Sequence, residues 1–117
     1  MKINYAGMDP ECVALVKAIN RIDGIETTES CCGHGKYKFL IFLDVEKLEN
    51  LPILLYFLSP CHGGFNWSCK VKTDCGMSAP TFFLESNSMG DPAYKEANET
   101  ARLINNYFEG EKAIKGA

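Results

Sequence analysis

The run Phe39-Leu40-Ile41-Phe42-Leu43 limits the possible folds of this chain more than any other stretch. It is bounded by Lys38 and Asp44, is too short for an ordinary helix or a bilayer span, and carries residue types that pack well on a pleated sheet. No polar residue alternates with the apolar ones. The strand it predicts is therefore expected to be buried on both faces, and the rest of the chain has to supply that cover.

On the N-terminal side, Asp9-Pro10-Glu11 is a helix start, with Asp9 as cap, Pro10 in the first turn and Glu11 at the positive end of the dipole. Cys12, Leu15, Val16, Ile19 and Ile22 then share one face, opposite Lys17, Asn20 and Arg21, and Gly24 closes the segment. That spacing makes Cys12 a packing residue. Ile25 to Ser30 reads as a short strand, joined to the apolar strand by a loop from Cys31 to Tyr37.

Beyond the apolar strand, Leu48, Leu51, Leu54, Leu55 and Leu58 repeat with helical spacing, and Pro52 requires the regular helix to begin near Asn50 or to bend there. Phe65, Trp67, Cys69 and Val71 alternate with Asn66, Ser68, Lys70 and Lys72, which predicts a half-buried strand with Cys69 in the core. Thr81 to Glu85 is a fourth strand, Ser86 to Gly90 a loop, and Asp91-Pro92 a second helix start. Tyr94, Ala97, Ala101, Ile104 and Phe108 form the last helical face, which runs out near Gly110 into a tail expected to fray.

The expected fold is a single α+β domain over residues 1–117, in two layers, with a four-stranded sheet and three helices in the order α-β-β-α-β-β-α. Following the strand directions, the Cys31–His34 loop, the Cys61–His62 loop and the helix starts at Asp9 and Asp91 all gather at one edge of the sheet. Cys75 falls at the opposite edge.

A net charge of −3 argues against a protein built to wrap duplex DNA, although it leaves RNA and small molecules open as partners. No apolar stretch is long enough for a membrane span, and nothing signals secretion. The expected location is the cytoplasm, where the six cysteines would be reduced. Three helices are few to cover both faces of the apolar strand, so a homodimer contact is a further expectation.

Glu29-Ser30-Cys31-Cys32-Gly33-His34-Gly35-Lys36 concentrates two thiols, an imidazole and two glycines. Cys31 or Cys32 with His34, joined by Cys61 or His62, offers the sulfur and nitrogen donors that a transition metal, zinc above all, prefers. Three protein ligands plus water are easier to build here than a closed set of four, since no paired Cys-x-x-Cys occurs. The plain alternative is small packing cysteines beside surface histidines.

The same residues permit enzyme chemistry, with Cys31 or Cys32 as a nucleophile and His34 as its base, although no residue is identifiable as the group orienting His34. Gly33 to Lys36 could instead form an anion-binding nest, for which an ordinary glycine turn is the simpler account. Trp67 has the ring to stack bases, yet it lies on the opposite face of its strand from Lys70 and Lys72, and core packing explains it better. A non-catalytic interaction module is the remaining class.

The stretch Thr27-Thr28-Glu29-Ser30-Cys31-Cys32-Gly33-His34-Gly35 resembles that of small bacterial, prophage and phage proteins for which no activity follows. A weaker similarity is to the tRNA wybutosine-synthesis methyltransferase family, whose Ser-Ser-Cys-Ser-Gly-Arg motif is matched at Ser30, Cys31 and Gly33 and whose Gly-Phe-Arg-x-Ser segment is echoed by Gly64-Phe65-Asn66-Trp67-Ser68. His34 and Asn66 replace the two arginines. The resemblance implies a related α+β scaffold with its site on the same loops, and with it RNA-modifying methyl transfer as an alternative activity.

Overall fold

In the computed structural model of the protein, which describes residues 5–59, 67–72 and 81–116 and side chains as far as residue 110, the apolar run lies in β2 (Lys38–Val45). β2 pairs on one side with β1 (Ile25–Cys31) and on the other with β4 (Thr81–Met89), and β3 (Ser68–Lys72) pairs with the outer side of β4. The order is β1-β2-β4-β3 and every pair is antiparallel. Helices α1 (Pro10–Ile19), α2 (Leu51–Leu58) and α3 (Asp91–Gly116) complete the expected α-β-β-α-β-β-α order, an α+β fold in two layers.

Burial alternates along β2. Phe39, Ile41 and Leu43 are fully buried, while Leu40 and Phe42 are half-buried, so the expectation of cover on both faces is corrected. All three helices contribute to one core on the same face of the sheet: Cys12, Leu15, Val16 and Ile19 from α1, Leu51, Leu54 and Leu58 from α2, Ala97, Ala101 and Ile104 from α3. Trp67 belongs to that core, with its ring 5.3 Å from Phe39, as its place on the apolar side of the strand requires. Leu40 and Phe42, on the other face, do not belong to this core, and among the described residues no helix covers that face of the sheet.

Several boundaries differ from the sequence reading for local reasons. Ser86 to Met89 is strand rather than loop, because a bulge between Lys38 and Leu40 lets β4 continue alongside β2 as far as the Lys38–Met89 pair. The Ser86 hydroxyl accepts the Phe39 N–H at 2.9 Å there, standing in for a ladder bond. On β3, Cys69 is only partly buried and Val71 is 54% exposed, because this strand forms the edge of the sheet and runs out from under the helices. Leu48 and Leu55 are exposed too, since the buried stripe of the short α2 follows Leu51, Leu54 and Leu58. α3 continues through Gly110 to Gly116.

The directions come out as expected. β1 rises to the Cys32–Tyr37 connection, β2 descends, and β4 rises again to Gly90, whose Cα side approaches Gly35. One edge of the sheet thus holds the Cys-Cys-Gly-His connection, the start of α1 and the start of α3. Cys61, His62 and Cys75 lie outside the described residues.

Candidate metal centre

The connection between β1 and β2 is a tight turn of the 3-10 type over Gly33–Gly35. Its backbone is left-handed at three successive residues, Gly33 (φ 80), His34 (φ 52) and Gly35 (φ 77). The glycines adopt that conformation freely, and His34 is the one non-glycine among the described residues to do so. At Gly33 space is a second constraint, for a Cβ would stand 3.0 Å from the carbonyl oxygen of Lys38. The turn closes with Lys36 and Tyr37 N–H groups both donating to the Gly33 carbonyl.

This curl folds the turn's own donors onto the thiols. Gly33 N–H points at Cys31 Sγ and His34 N–H at Cys32 Sγ, each at 3.4 Å. With the Gly35 N–H directed at the Tyr94 hydroxyl and the Lys36 N–H spent on Gly33, the amides that an anion-binding nest would present are already committed.

Asp9 enters from the start of α1. Its side chain makes no cap hydrogen bond to its own helix, although Pro10 occupies the first turn as expected. Instead its Oδ2 accepts the Cys32 N–H at 3.1 Å and lies 3.9 Å from His34 Nε2. On the other side of the imidazole, His34 Nδ1 is 3.7 Å from Cys32 Sγ. One donor atom each from Asp9, Cys32 and His34 can be chosen so that all lie within 4.8 Å of one another.

The three differ in their access to water. Cys32 is 2% exposed, whereas the side chains of Asp9 and His34 are 30% and 67% exposed. Burial pushes the Cys32 thiol above its ordinary pKa, against the pull of its hydrogen bonds from the His34 amide and the Tyr94 hydroxyl. Tyr94, from the first turn of α3, is itself raised, chiefly by that bond to Cys32. Cys12 lies behind the site in the core and hydrogen-bonds Ser30; burial pushes it up to about 12.

Of the residues expected at this edge, the structure brings Cys32 and His34 together and leaves Cys31 apart. Cys31 is the last residue of β1, in register with Leu40, which is on the open side of the sheet, while Cys32 turns under the helices. The sequence pattern marks Asp9 as a helix cap and Tyr94 as a packing residue. Their signal was present in the strand directions, which already placed both helix starts at this edge.

Asp9, Cys32 and His34 thus offer a carboxylate oxygen, a sulfur and an imidazole nitrogen close enough together to bind a metal ion. No family model, curated protein or solved structure matches the chain.

Proposed function

We infer that this chain is a small metal-binding domain in which Asp9, Cys32 and His34 hold a transition metal, zinc in the first place. The observation that carries this reading is the convergence of the three donors within 4.8 Å. Zn–S and Zn–N bonds of about 2.3 and 2.0 Å at a tetrahedral angle put sulfur and nitrogen roughly 3.5 Å apart, close to the 3.7 Å between Cys32 Sγ and His34 Nδ1. A borderline-soft ion suits a thiolate, imidazole and carboxylate set better than calcium or magnesium would.

His34 gives further support. A non-glycine residue held at φ 52 costs of order 1 kcal/mol, and here the conformation aims the imidazole at Cys32. Only one ring nitrogen can bind the ion. With Nδ1 on the metal, Nε2–H is left on the exposed side of the ring, the His34 side chain being 67% exposed.

The deciding experiment is a titration of chelator-stripped, reduced protein with zinc, followed by elemental analysis. The reading expects about one ion per chain, lost in Cys32→Ser and His34→Ala, weakened in Asp9→Asn and retained in Cys31→Ser. Cys61→Ser and His62→Ala in the same series test the completing ligands expected from the sequence. Absence of metal uptake by folded wild-type protein would overturn the reading, as would loss in Cys31→Ser with retention in Cys32→Ser.

A second reading rests on the same imidazole lying between a thiol and a carboxylate, the order of a nucleophile, its base and the base's orienting group. The burial of Cys32 and its raised pKa weigh against it, because the thiolate is the nucleophile. Fast, His34-dependent alkylation of Cys32 in metal-free protein would favour this reading over the first. The methyltransferase resemblance makes RNA the substrate to try in that event.

A further inference from the structure

We propose that a second copy of this chain covers the open face of the sheet, in a two-fold symmetric dimer whose axis runs along the strands. The face is defined by the register. Glu29 stands opposite Phe42, Phe42 opposite Phe83 and Phe83 opposite Lys70, so one row across all four strands reads acid, aromatic, aromatic, base. The Phe42 and Phe83 rings are 5.4 Å apart at the middle of the face, half-buried and outside the helical core. Nearer the other end of the strands, Glu26 pairs with Asp44 on β1 and β2, and Thr81 with Lys72 on β4 and β3. Acidic residues thus lie along β1 and basic ones along β3.

That gradient is self-complementary under one operation. A two-fold axis parallel to the strands lays β1 of one copy over β3 of the other, and the aligned packing that results is the common arrangement of stacked sheets. Glu29 then meets Lys70 of the second copy, Glu26 meets Lys72, and Phe42 meets Phe83, with every contact made twice. An axis across the strands would place β1 on β1 and bring acids together. Charge selects the first.

The same gradient disfavours a single-stranded nucleic acid, the other obvious occupant of a sheet with paired aromatic rings. Bases stacked on both Phe83 and Phe42 would carry phosphates away from Lys70 and Lys72 and toward the carboxylates of Glu29, Glu26 and Asp44, which repel them. Lys70 is moreover held at 2.9 Å by Glu85, which Lys38 also approaches at 3.7 Å, so the central cations are already partly neutralised.

Four strands about 4.8 Å apart give a face roughly 20 Å on a side, about 800 Å² over the two copies, the size of a weak and reversible interface, so association is sought up to millimolar concentration. Sedimentation equilibrium of the full chain from about 1 µM to 1 mM tests this, with Glu26→Lys, Lys72→Glu and the double variant, each checked for fold by circular dichroism. Each single change converts two attractive contacts into repulsive ones and should weaken association about tenfold or more, while the double variant recovers it. Mixing the two single variants should yield a heterodimer tighter than either alone. Wild-type protein that stays monomeric to 1 mM overturns the proposal, as do single variants that associate like wild type. Oligonucleotide binding that depends on Phe42 and Lys72, in a protein that remains monomeric, overturns it in favour of nucleic acid.

Discussion

His34 is the residue at which local preference yields most visibly to the site. Its neighbours Gly33 and Gly35 make the left-handed turn affordable, but for different reasons, and alanine substitution separates them. Gly35 has φ 77 with nothing within 4 Å of a new Cβ, so Gly35→Ala should cost about 1 kcal/mol, the strain of the conformation alone. Gly33 has φ 80 and a Lys38 carbonyl oxygen at 3.0 Å, a backbone atom that cannot swing aside. Gly33→Ala should therefore cost about 3 kcal/mol in urea denaturation, and equal losses at the two sites would refute this account of the turn. Cys12 carries a prediction in pH. Its thiol moves from 9.0 to about 12 on burial, so between those values the native chain binds a proton that the unfolded chain has released. The contribution is fully present below about pH 9 and is lost as pH rises through the folded value, at up to about 1.4 kcal/mol per pH unit. Wild-type protein should lose roughly 1 kcal/mol more than Cys12→Ala between pH 8 and pH 10, and parallel losses would show that another group is responsible. The helical spacing that marked Cys12 as a packing residue made this legible, whereas the role of Asp9 was hidden because a cap and a ligand need the same carboxylate in the same place.

Among the elements, β2 and β4 show where pattern reading succeeds and where it stops. Sequence pattern located the three α-helices and four strands of the described residues, because most bury one stripe or one face against the same core. It could not tell a strand covered on both faces from one whose second face is open, since Leu40 and Phe42 are apolar in either case. Nor could it extend β4 through Ser86, Asn87 and Ser88, polar residues that read as loop. Burial of Ser86 depends on the bulge opposite Phe39, a tertiary feature with no local sequence mark. The Ser86 hydroxyl accepts from Phe39 N–H at 2.9 Å and donates to the Ser88 carbonyl at 2.6 Å, so it closes the bulge from both sides. Ser86→Ala leaves the Phe39 N–H buried and unpaired, and the expected loss is about 1–3 kcal/mol in denaturant unfolding. Amide exchange at Phe39 should accelerate in the same variant. Unchanged stability together with unchanged exchange would mean that the bulge is held by something other than this hydroxyl.

At the scale of the whole molecule, the candidate centre joins parts of the chain that lie far apart in sequence. Asp9 precedes α1 while Cys32 and His34 follow β1, and at this end of the helix the Cys32 N–H donates to the Asp9 carboxylate across a sequence separation of 23 residues. An ion bound by all three would tie the first helix to the sheet edge, and because the unfolded chain scatters these ligands, binding would appear as stability. At free zinc 100-fold above Kd the gain is about 2.7 kcal/mol, which for a domain of this size raises Tm by roughly 10 °C. The pH dependence has a definite sign. The ion needs the Cys32 thiolate, and burial holds that thiol above its ordinary pKa in the metal-free fold, so the proton must be displaced on binding and lower pH opposes it. Affinity should fall about tenfold for each pH unit below the thiol pKa, and the zinc-induced rise in Tm should be smaller at pH 6 than at pH 8. Differential scanning fluorimetry with zinc or chelator at both pH values, on wild type and on Cys32→Ser, checks the whole chain of argument. A rise in Tm that persists in Cys32→Ser, or that grows toward acid, would place the ion elsewhere on the molecule.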